Sequence, residues 1–531
     1  MTETNNFNDK PESSKVVISK SLVLINSIGS ILARIVNVAI LIWLQQYLLK
    51  RISAAEYSIY PVITSIMVFV IILQEILSGG LSRYIIEAYT KGDNKHVTEI
   101  TSTMFLIHLI GAIVVLLLGW PFVTYIDKIL TIEKQFLWQA RIMMSLMVFS
   151  FSVRVSLTPF TVGLYVKQKY VLLNIIRICV SLIRIILLFI LLFGVSTRVL
   201  WVVVATEFAN LCGLFAQVII SRRLVPLLTF SLNEVNWKIS RVLLSFGFWN
   251  FVGNVAWRIQ NYADPIILNK LASPIDVTCF HLGNLFKRQI ETTIIFMTEP
   301  ILPSLTAMHA TGQKTRLGNT FLRYGRYMIW FYMIIIIPLI IFRNELILLY
   351  VGNRYLLAAT VILLLLSSAS INKGYSMNFK LAVAIGKIKK LSIYAIITQV
   401  LNLCITLFLV GIFKMGAFGS ALSTAIVAIF IAPILFIPLA LRLAEVDFKK
   451  WLKITILPGY LPGIAFSIVL IIIKLIDKPD SWAKLILYST IGCICYLIIL
   501  LKFCLKDSDR NDLKNVLSKI NNIFLKNRKG P

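Results

Sequence analysis

Apolar runs of about 20 residues recur along the whole chain, separated by short stretches of charge, Gly and Pro, and a run of that length is what an α-helix needs to cross a hydrocarbon layer. The pattern predicts helices near 21–46, 58–79, 100–124, 138–160, 170–193 and 199–221. A basic linker follows, with Arg222, Arg223, Pro226, Asn233 and Lys238. Six more helices are predicted near 242–268, 276–303, 320–343, 355–384, 391–412 and 416–440, and two near 452–474 and 482–504. The fold class expected is an all-α membrane protein of about 14 transmembrane helices, with two six-helix lobes around a central cavity plus two C-terminal helices.

The expected organisation is an N-terminal tail (1–20), a first lobe (21–221), a linker (222–241), a second lobe (242–442), two further spans (452–505) and a basic tail (506–531). With an even number of spans both termini share one face, whose loops hold roughly 29 Lys and Arg against roughly 12 opposite. That asymmetry predicts cytoplasmic termini. Residues 1–20 are polar, so no secretory signal peptide is expected ahead of the first apolar segment. Between Asp507 and Asn527, Leu513, Val516, Leu517, Ile520 and Ile523 fall at helical spacing, as in a segment lying along a membrane surface.

Composition agrees: 58% of the 531 residues are hydrophobic and 15% charged, too apolar for a soluble fold. The net charge of +29 would suit nucleic acid if it were clustered, but it is spread over many short loops. Positive-inside loops explain it better, and no nucleic-acid partner is expected. The seven cysteines lie in or beside apolar segments without metal-ligand spacing. No HExxH, GxxxxGK[ST] or Cys-His cluster occurs, so neither metal nor cofactor is expected and the chain is not read as an enzyme.

The second half echoes the first at a shift of 220 residues. Lys50, Ser53, Glu56 and Tyr60 fall on Lys270, Ser273, Asp276 and Phe280; Gly92 falls on Gly312, and Lys167 and Lys169 on Lys387 and Lys389. Six helices per unit make both units enter the membrane from the same side, related by an axis along its normal. In the first helix of each unit the shift is 224: Asn26, Ser30, Arg34 and Asn37 correspond to Asn250, Asn254, Arg258 and Asn261, each set on one helix face.

An Arg at a helix centre costs about 2.5 to 3.5 kcal/mol on the insertion scale, so these cations require water, a partner or a ligand. The expected cavity residues are Arg34, Arg258, Arg288, Lys287 and Arg154 with Asn26, Asn37, Asn250, Asn254 and Asn261. Guanidinium groups suit phosphate or pyrophosphate oxygens. On the eighth helix, His281, Asn284, Arg288, Glu291 and Glu299 share a face, which suits a cavity wall; the plainer explanation has Arg288 and Glu291 paired across one turn. Asp264 and Glu291 are candidate ion-coupling groups. For Asp264 the alternative is a counter-charge for Arg258, and both readings stand.

Residues 49–57 (Leu49, Lys50, Arg51, Ile52, Ser53, Ala54, Ala55, Glu56, Tyr57) follow the first helix, and Gly79, Gly80 and Arg83 close the second. Ser245, Phe246 and Gly247 open the seventh helix; Asp264, Ile266, Ile267 and Leu268 close it; Pro300 and Pro303 follow the eighth. Ala384, Gly386 and Lys387 follow the tenth, and Gly416, Gly419, Ala421 and Thr424 open the twelfth. In order and spacing over about 20–440, this resembles the polysaccharide-transporter branch of the multidrug/oligosaccharidyl-lipid/polysaccharide flippase superfamily. Members often have Gly where this chain has Tyr57.

The resemblance implies alternating access and a polyprenyl-diphosphate-linked oligosaccharide whose pyrophosphate meets cavity cations while its tail stays in lipid. The function expected is translocation of an undecaprenyl-diphosphate-linked glycan across a bacterial cytoplasmic membrane for O-antigen, capsule or exopolysaccharide. Membrane lipids, a proton or sodium coupling ion, and polysaccharide assembly proteins are the implied partners. A cation-coupled multidrug antiporter of the same superfamily is the alternative, which the excess of cations disfavours. A polysaccharide polymerase or ligase would need a larger external loop than the chain offers.

Overall fold

The computed structural model describes residues 39–78, 81–167, 169–298, 301–505 and 509–510, and among them every regular element is helical. The first half supplies α1 (Ala39–Leu49), α2 (Ala54–Ser78), α3 (Leu81–Thr90), α4 (Asn94–Thr124), α5 (Leu137–Leu157), α6 (Tyr170–Gly194) and α7 (Leu200–Leu224). The second supplies α8 (Trp237–Leu271), α9 (Pro274–Thr298), α10 (Ile301–Ala310), α11 (Lys314–Ile341), α12 (Leu357–Ile371), α13 (Asn378–Ile385), α14 (Ile388–Thr406), α15 (Gly416–Ile426) and α16 (Ala432–Ala444). A terminal pair follows, α17 (Leu457–Ile476) and α18 (Trp482–Ile499).

Eleven helical stretches among the described residues are long and apolar enough to cross a membrane. Their outward faces carry exposed Leu117, Leu118, Ile434, Leu475, Ile476 and Phe503, side chains that only lipid would solvate. The helices α8 and α9, 35 and 25 residues long, are outside that set because they carry the polar stripes. Most of the expected first helix, with Asn26, Arg34 and Asn37, lies outside the described residues, as does the tail beyond Arg510.

The 220-residue offset governs local structure as well as sequence. The bounds of α9 and α10 follow those of α2 and α3 by exactly that interval. Ser53 Oγ accepts from the Glu56 N–H at 3.1 Å, and Ser273 Oγ from the Asp276 N–H at 3.2 Å, so both helices open with the same cap. Gly92 and Gly312 end the third helix of each unit at φ +74° and +68°, where a side chain would be strained.

The acidic residue of each unit has a common task. Glu56 accepts from the Val199 N–H (3.4 Å) at the start of α7, and Asp276 from the Ala417 N–H (2.8 Å) at the start of α15. A carboxylate at a helix N-terminus satisfies orphan N–H groups and opposes the dipole. At the second site Gly416 lets Asp276 approach: a Cβ there would stand 2.2 Å from Asp276 Oδ1.

Several boundaries differ from expectation: the third and ninth helices open six residues early, at Asn94 and Lys314, with polar first turns that project beyond the apolar runs. The seventh helix begins at Trp237, not 242, because Asn236 caps it by accepting from the Lys238 N–H at 3.1 Å; the polar first turn projects beyond the apolar run. The tenth is broken into α12 and α13 by a 3-10 turn at Asn372–Tyr375, which buries Lys373.

The terminal pair docks on α11. Trp330 Nε1 donates to Pro458 O (2.8 Å), Tyr496 Oη to Trp330 O (2.9 Å) and Thr455 Oγ1 to Leu322 O (2.9 Å). Beneath them Arg326, fully buried, pairs with Asp509 at 2.6 Å and donates to Ile454 O at 2.9 Å. Tyr327 Oη donates to the other Asp509 oxygen at 2.5 Å. Removing the carboxylate strands a buried guanidinium, so Asp509→Ala should destabilise the fold by about 3 to 5 kcal/mol, with Asp509→Asn less harmful. A thermal unfolding series in detergent checks this; equal midpoints for Asp509→Ala and the unmodified chain would refute it.

Candidate functional site

Some of the polar side chains that a bilayer cannot hold unaided lie along the seam between the two units, where α2 packs on α8 and α9. At one end the seam is tied by hydrogen bonds. Asn269 of α8 accepts from the Thr131 N–H at 2.9 Å and returns its amide N–H to Thr131 O at 3.0 Å. Tyr350 Oη donates to Ile42 O (2.6 Å), Gln46 to Leu349 O (3.4 Å) and Lys270 to Lys128 O (3.3 Å). Each joins the first half of the chain to the second.

Deeper along the same seam, Arg258 of α8 is paired with Glu75 of α2. Asp264 is therefore not the counter-charge of Arg258: the partner comes from the other unit, because α2 rather than α8's own next turn faces the guanidinium. Arg288 of α9 lies 5.6 Å from the Tyr262 ring centroid. Tyr57 and Tyr60 of α2 meet the His281 ring edge-on at 6.0 and 6.4 Å. Arg288 thus sits half-buried near an aromatic wall, and among the described residues it has no carboxylate within 4 Å. The expected one-turn pairing of Arg288 with Glu291 does not form. Glu291 instead faces Lys373 at 3.9 Å, and Lys373 stands 4.6 Å from the Tyr332 ring centre.

Asp264 occupies a second cluster, inside the second unit. It is buried beside the hydroxyls of Ser420 and Thr406, with Lys287, itself buried, as the neighbouring cation. Thr406 and Ser423 hydroxyls are 2.5 Å apart, and Asn402 donates to Ser423 and Thr424 at 3.4 Å. Sequence reasoning missed these hydroxyl groups. Asn402 and Thr406 of α14, four residues apart in an apolar helix, were the available signal.

Next to this cluster a cavity of about 600 Å³ is lined by Glu291, Lys373, Asn378, Lys380, Gln399 and Asn402, among others. The first unit holds a smaller cavity of about 430 Å³, lined by Gln74, Arg154, Thr158, Arg177, Asn210 and Gln217. At the 220-residue offset two of its lining residues, Gln74 and Thr158, fall on Ile294 and Asn378 of the larger cavity, while Arg154, Arg177, Asn210 and Gln217 fall on positions outside that lining. Arg154 reaches Glu207 at 3.4 Å, and Ser150 donates to the same oxygen at 2.6 Å. Arg154 is thus placed in the first unit with its own carboxylate, apart from Arg258. The backbones of Asn250, Asn254 and Asn261 run within α8; their side chains lie outside the described residues, as do Asn26, Arg34 and Asn37.

Comparison with known proteins fits this geometry. The family model for "Polysaccharide biosynthesis protein" matches residues 21–309. In fold, the chain is similar to a lipid II flippase MurJ in its inward closed conformation, with a TM-score of 0.69 and 15% identity over 90% of this chain and 97% of that one. It is also similar to an inward-facing multidrug resistance MATE family transporter (0.62, 12%, 78% and 98%). A third similar structure is a MOP superfamily transporter from Pyrococcus furiosus, described as having a binding pocket of reverse polarity (0.53, 14%, 78% and 94%). No curated protein matches the chain in sequence.

Proposed function

The chain belongs to the polysaccharide biosynthesis protein family, and from that premise we propose that it is a flippase for an undecaprenyl-diphosphate-linked oligosaccharide, working by alternating access in a bacterial cytoplasmic membrane. The observation that carries this reading is Arg288, a seam guanidinium set near Tyr262 with no carboxylate within 4 Å among the described residues. A planar guanidinium suits two phosphate oxygens at once, and in a poorly hydrated seam it favours an anion. A site for cationic drugs would need the opposite sign.

On this reading the two units are two six-helix lobes among about 14 spans, and both termini are cytoplasmic, on the face whose loops carry most of the Lys and Arg. The pyrophosphate meets Arg288 and, when Glu75 lets go, Arg258; Arg34 and the asparagines of the first and seventh helices, outside the described side chains, are further candidate contacts for the substrate. Lys287 and Arg154, the other cations assigned to the substrate path, stand beside Asp264 and Glu207. The product serves assembly of a surface polysaccharide such as O-antigen, capsule or exopolysaccharide. Asp264 serves as the coupling-ion group, since a buried carboxylate among hydroxyls offers oxygen ligands to sodium or a place for a proton.

Vesicles containing the purified chain and a fluorescent polyprenyl-diphosphate oligosaccharide test both statements. Glycan should cross to the far leaflet, faster under an imposed sodium or proton gradient. With Asp264→Asn the gradient should cease to change the rate. If vesicles instead expel a cationic dye and leave the glycan in place, the antiporter reading takes over. If Asp264→Asn keeps the full response to the gradient, coupling lies elsewhere.

A further inference from the structure

A separate cavity opens among the ends of α10, α11, α13, α14 and α16, away from the seam. It measures about 590 Å³, and its lining includes Lys314, Lys387, Lys389, Lys390, Arg442 and Glu445. Five basic side chains face one carboxylate there. Lys314 takes that carboxylate, with its Nζ 2.7 Å from Glu445. The other four cations have no acidic partner within 4 Å among the described residues.

Two further observations point to an anion. The chain enters α14 through Lys387, whose side chain makes no cap hydrogen bond, so among the described residues the first-turn N–H groups have no N-cap side-chain partner where Lys389 and Lys390 line the cavity. A helix N-terminus in that condition attracts negative charge. The second is a contrast between units. Lys387 and Arg442 fall on Lys167 and Arg222 of the first unit, where Lys167 is spent on Tyr89, 4.7 Å from its ring centre, and Arg222 stands 5.6 Å from the centre of the Phe160 ring. Position 314, the Lys that engages Glu445, is Asn94 in the first unit, and position 445 is Val225. Lys389 falls on Lys169, so both units keep a lysine there, and the contrast between them rests on Lys387, Arg442 and the Lys314–Glu445 pair.

We propose that this cavity binds the phosphate-bearing headgroup of an anionic membrane phospholipid. Phosphate is the chemistry that lysines and an open helix N-terminus share. The lipid source is favoured by the floor, which is formed by Leu317, Leu439, Leu443 and Ala444: a soluble anion gains nothing from them, whereas the glycerol and first methylenes of a lipid are desolvated there. The loops concerned, at 311–313, 386–387 and 445–447, all lie on one face of the helix bundle, where headgroups are found if the helices span the membrane.

The test measures binding rather than transport. The full chain, purified in detergent, is titrated with phosphatidylglycerol, phosphatidylcholine or inorganic pyrophosphate while native mass spectrometry counts retained lipid and thermal unfolding reports stabilisation. Phosphatidylglycerol should bind about tenfold more tightly than phosphatidylcholine, since each Lys near an anionic headgroup is worth severalfold. Lys387→Gln, Lys389→Gln and Lys390→Gln together should remove that preference; the same three changed to Arg should keep it. An equal loss in an Arg222→Gln, Arg223→Gln control would show general surface charge and overturn the site. So would a preference that survives the triple Gln change. Full stabilisation by pyrophosphate without any lipid preference would overturn the lipid source.

Discussion

Covalent linkage of position 131 to position 269 is expected to reduce glycan translocation to background, and cleavage of the link to restore it. Thr131 and Asn269 exchange two hydrogen bonds across the seam, at 2.9 and 3.0 Å, and Tyr350 fastens the same end to Ile42. On the proposed orientation, with both termini cytoplasmic, these contacts join the two units at the outward end, and alternating access by rocking units would require that they part. The measurement uses Thr131→Cys and Asn269→Cys with a short reducible bis-thiol reagent, in a chain whose accessible native cysteines are replaced. Each single Cys variant treated alike should keep its rate. Undiminished translocation by the cross-linked protein would mean that the seam stays shut at that end throughout transport, and the rocking mechanism would fail.

Arg288→Ala should lower the translocation rate by about 10- to 100-fold, the loss of one charge-assisted hydrogen-bonding group to phosphate, while protein level and unfolding midpoint stay near those of the unmodified chain. The small structural cost follows from its surroundings: Arg288 is half-buried and neutralises no carboxylate within 4 Å among the described residues, so its removal strands no acid. Arg288→Lys should recover part of the rate, because an ammonium keeps the charge but lacks the planar fork. Arg258 is a poorer probe of binding, since its removal leaves Glu75 unpaired at the seam. A full rate in Arg288→Ala at normal expression would sink the cationic-seam model.

Much of this was legible in residue order. A serine before each entry helix, an acid three residues later and a glycine at the close of the third helix are local signals, satisfied within a few residues of themselves, and they recur at one offset. The glycine and cap geometry at Gly92 and Gly312, Ser53 and Ser273 follows from them. What the acids at 56 and 276 do was not legible, because each caps a helix more than 140 residues further on.

The sequence by itself determined where helices form, that they belong in lipid, that two units repeat and that cations exceed acids among the intramembrane charges. Each of these depends on run length, periodicity or composition, which are properties of neighbouring residues. Only the tertiary structure decided which charges neutralise each other. Arg258 pairs with Glu75, 183 residues away, Glu291 with Lys373 in place of Arg288, and Arg326 with Asp509 beyond the last helix. Ion pairing falls off over a few ångströms, so it is set by which helix faces meet, and no local pattern records that meeting.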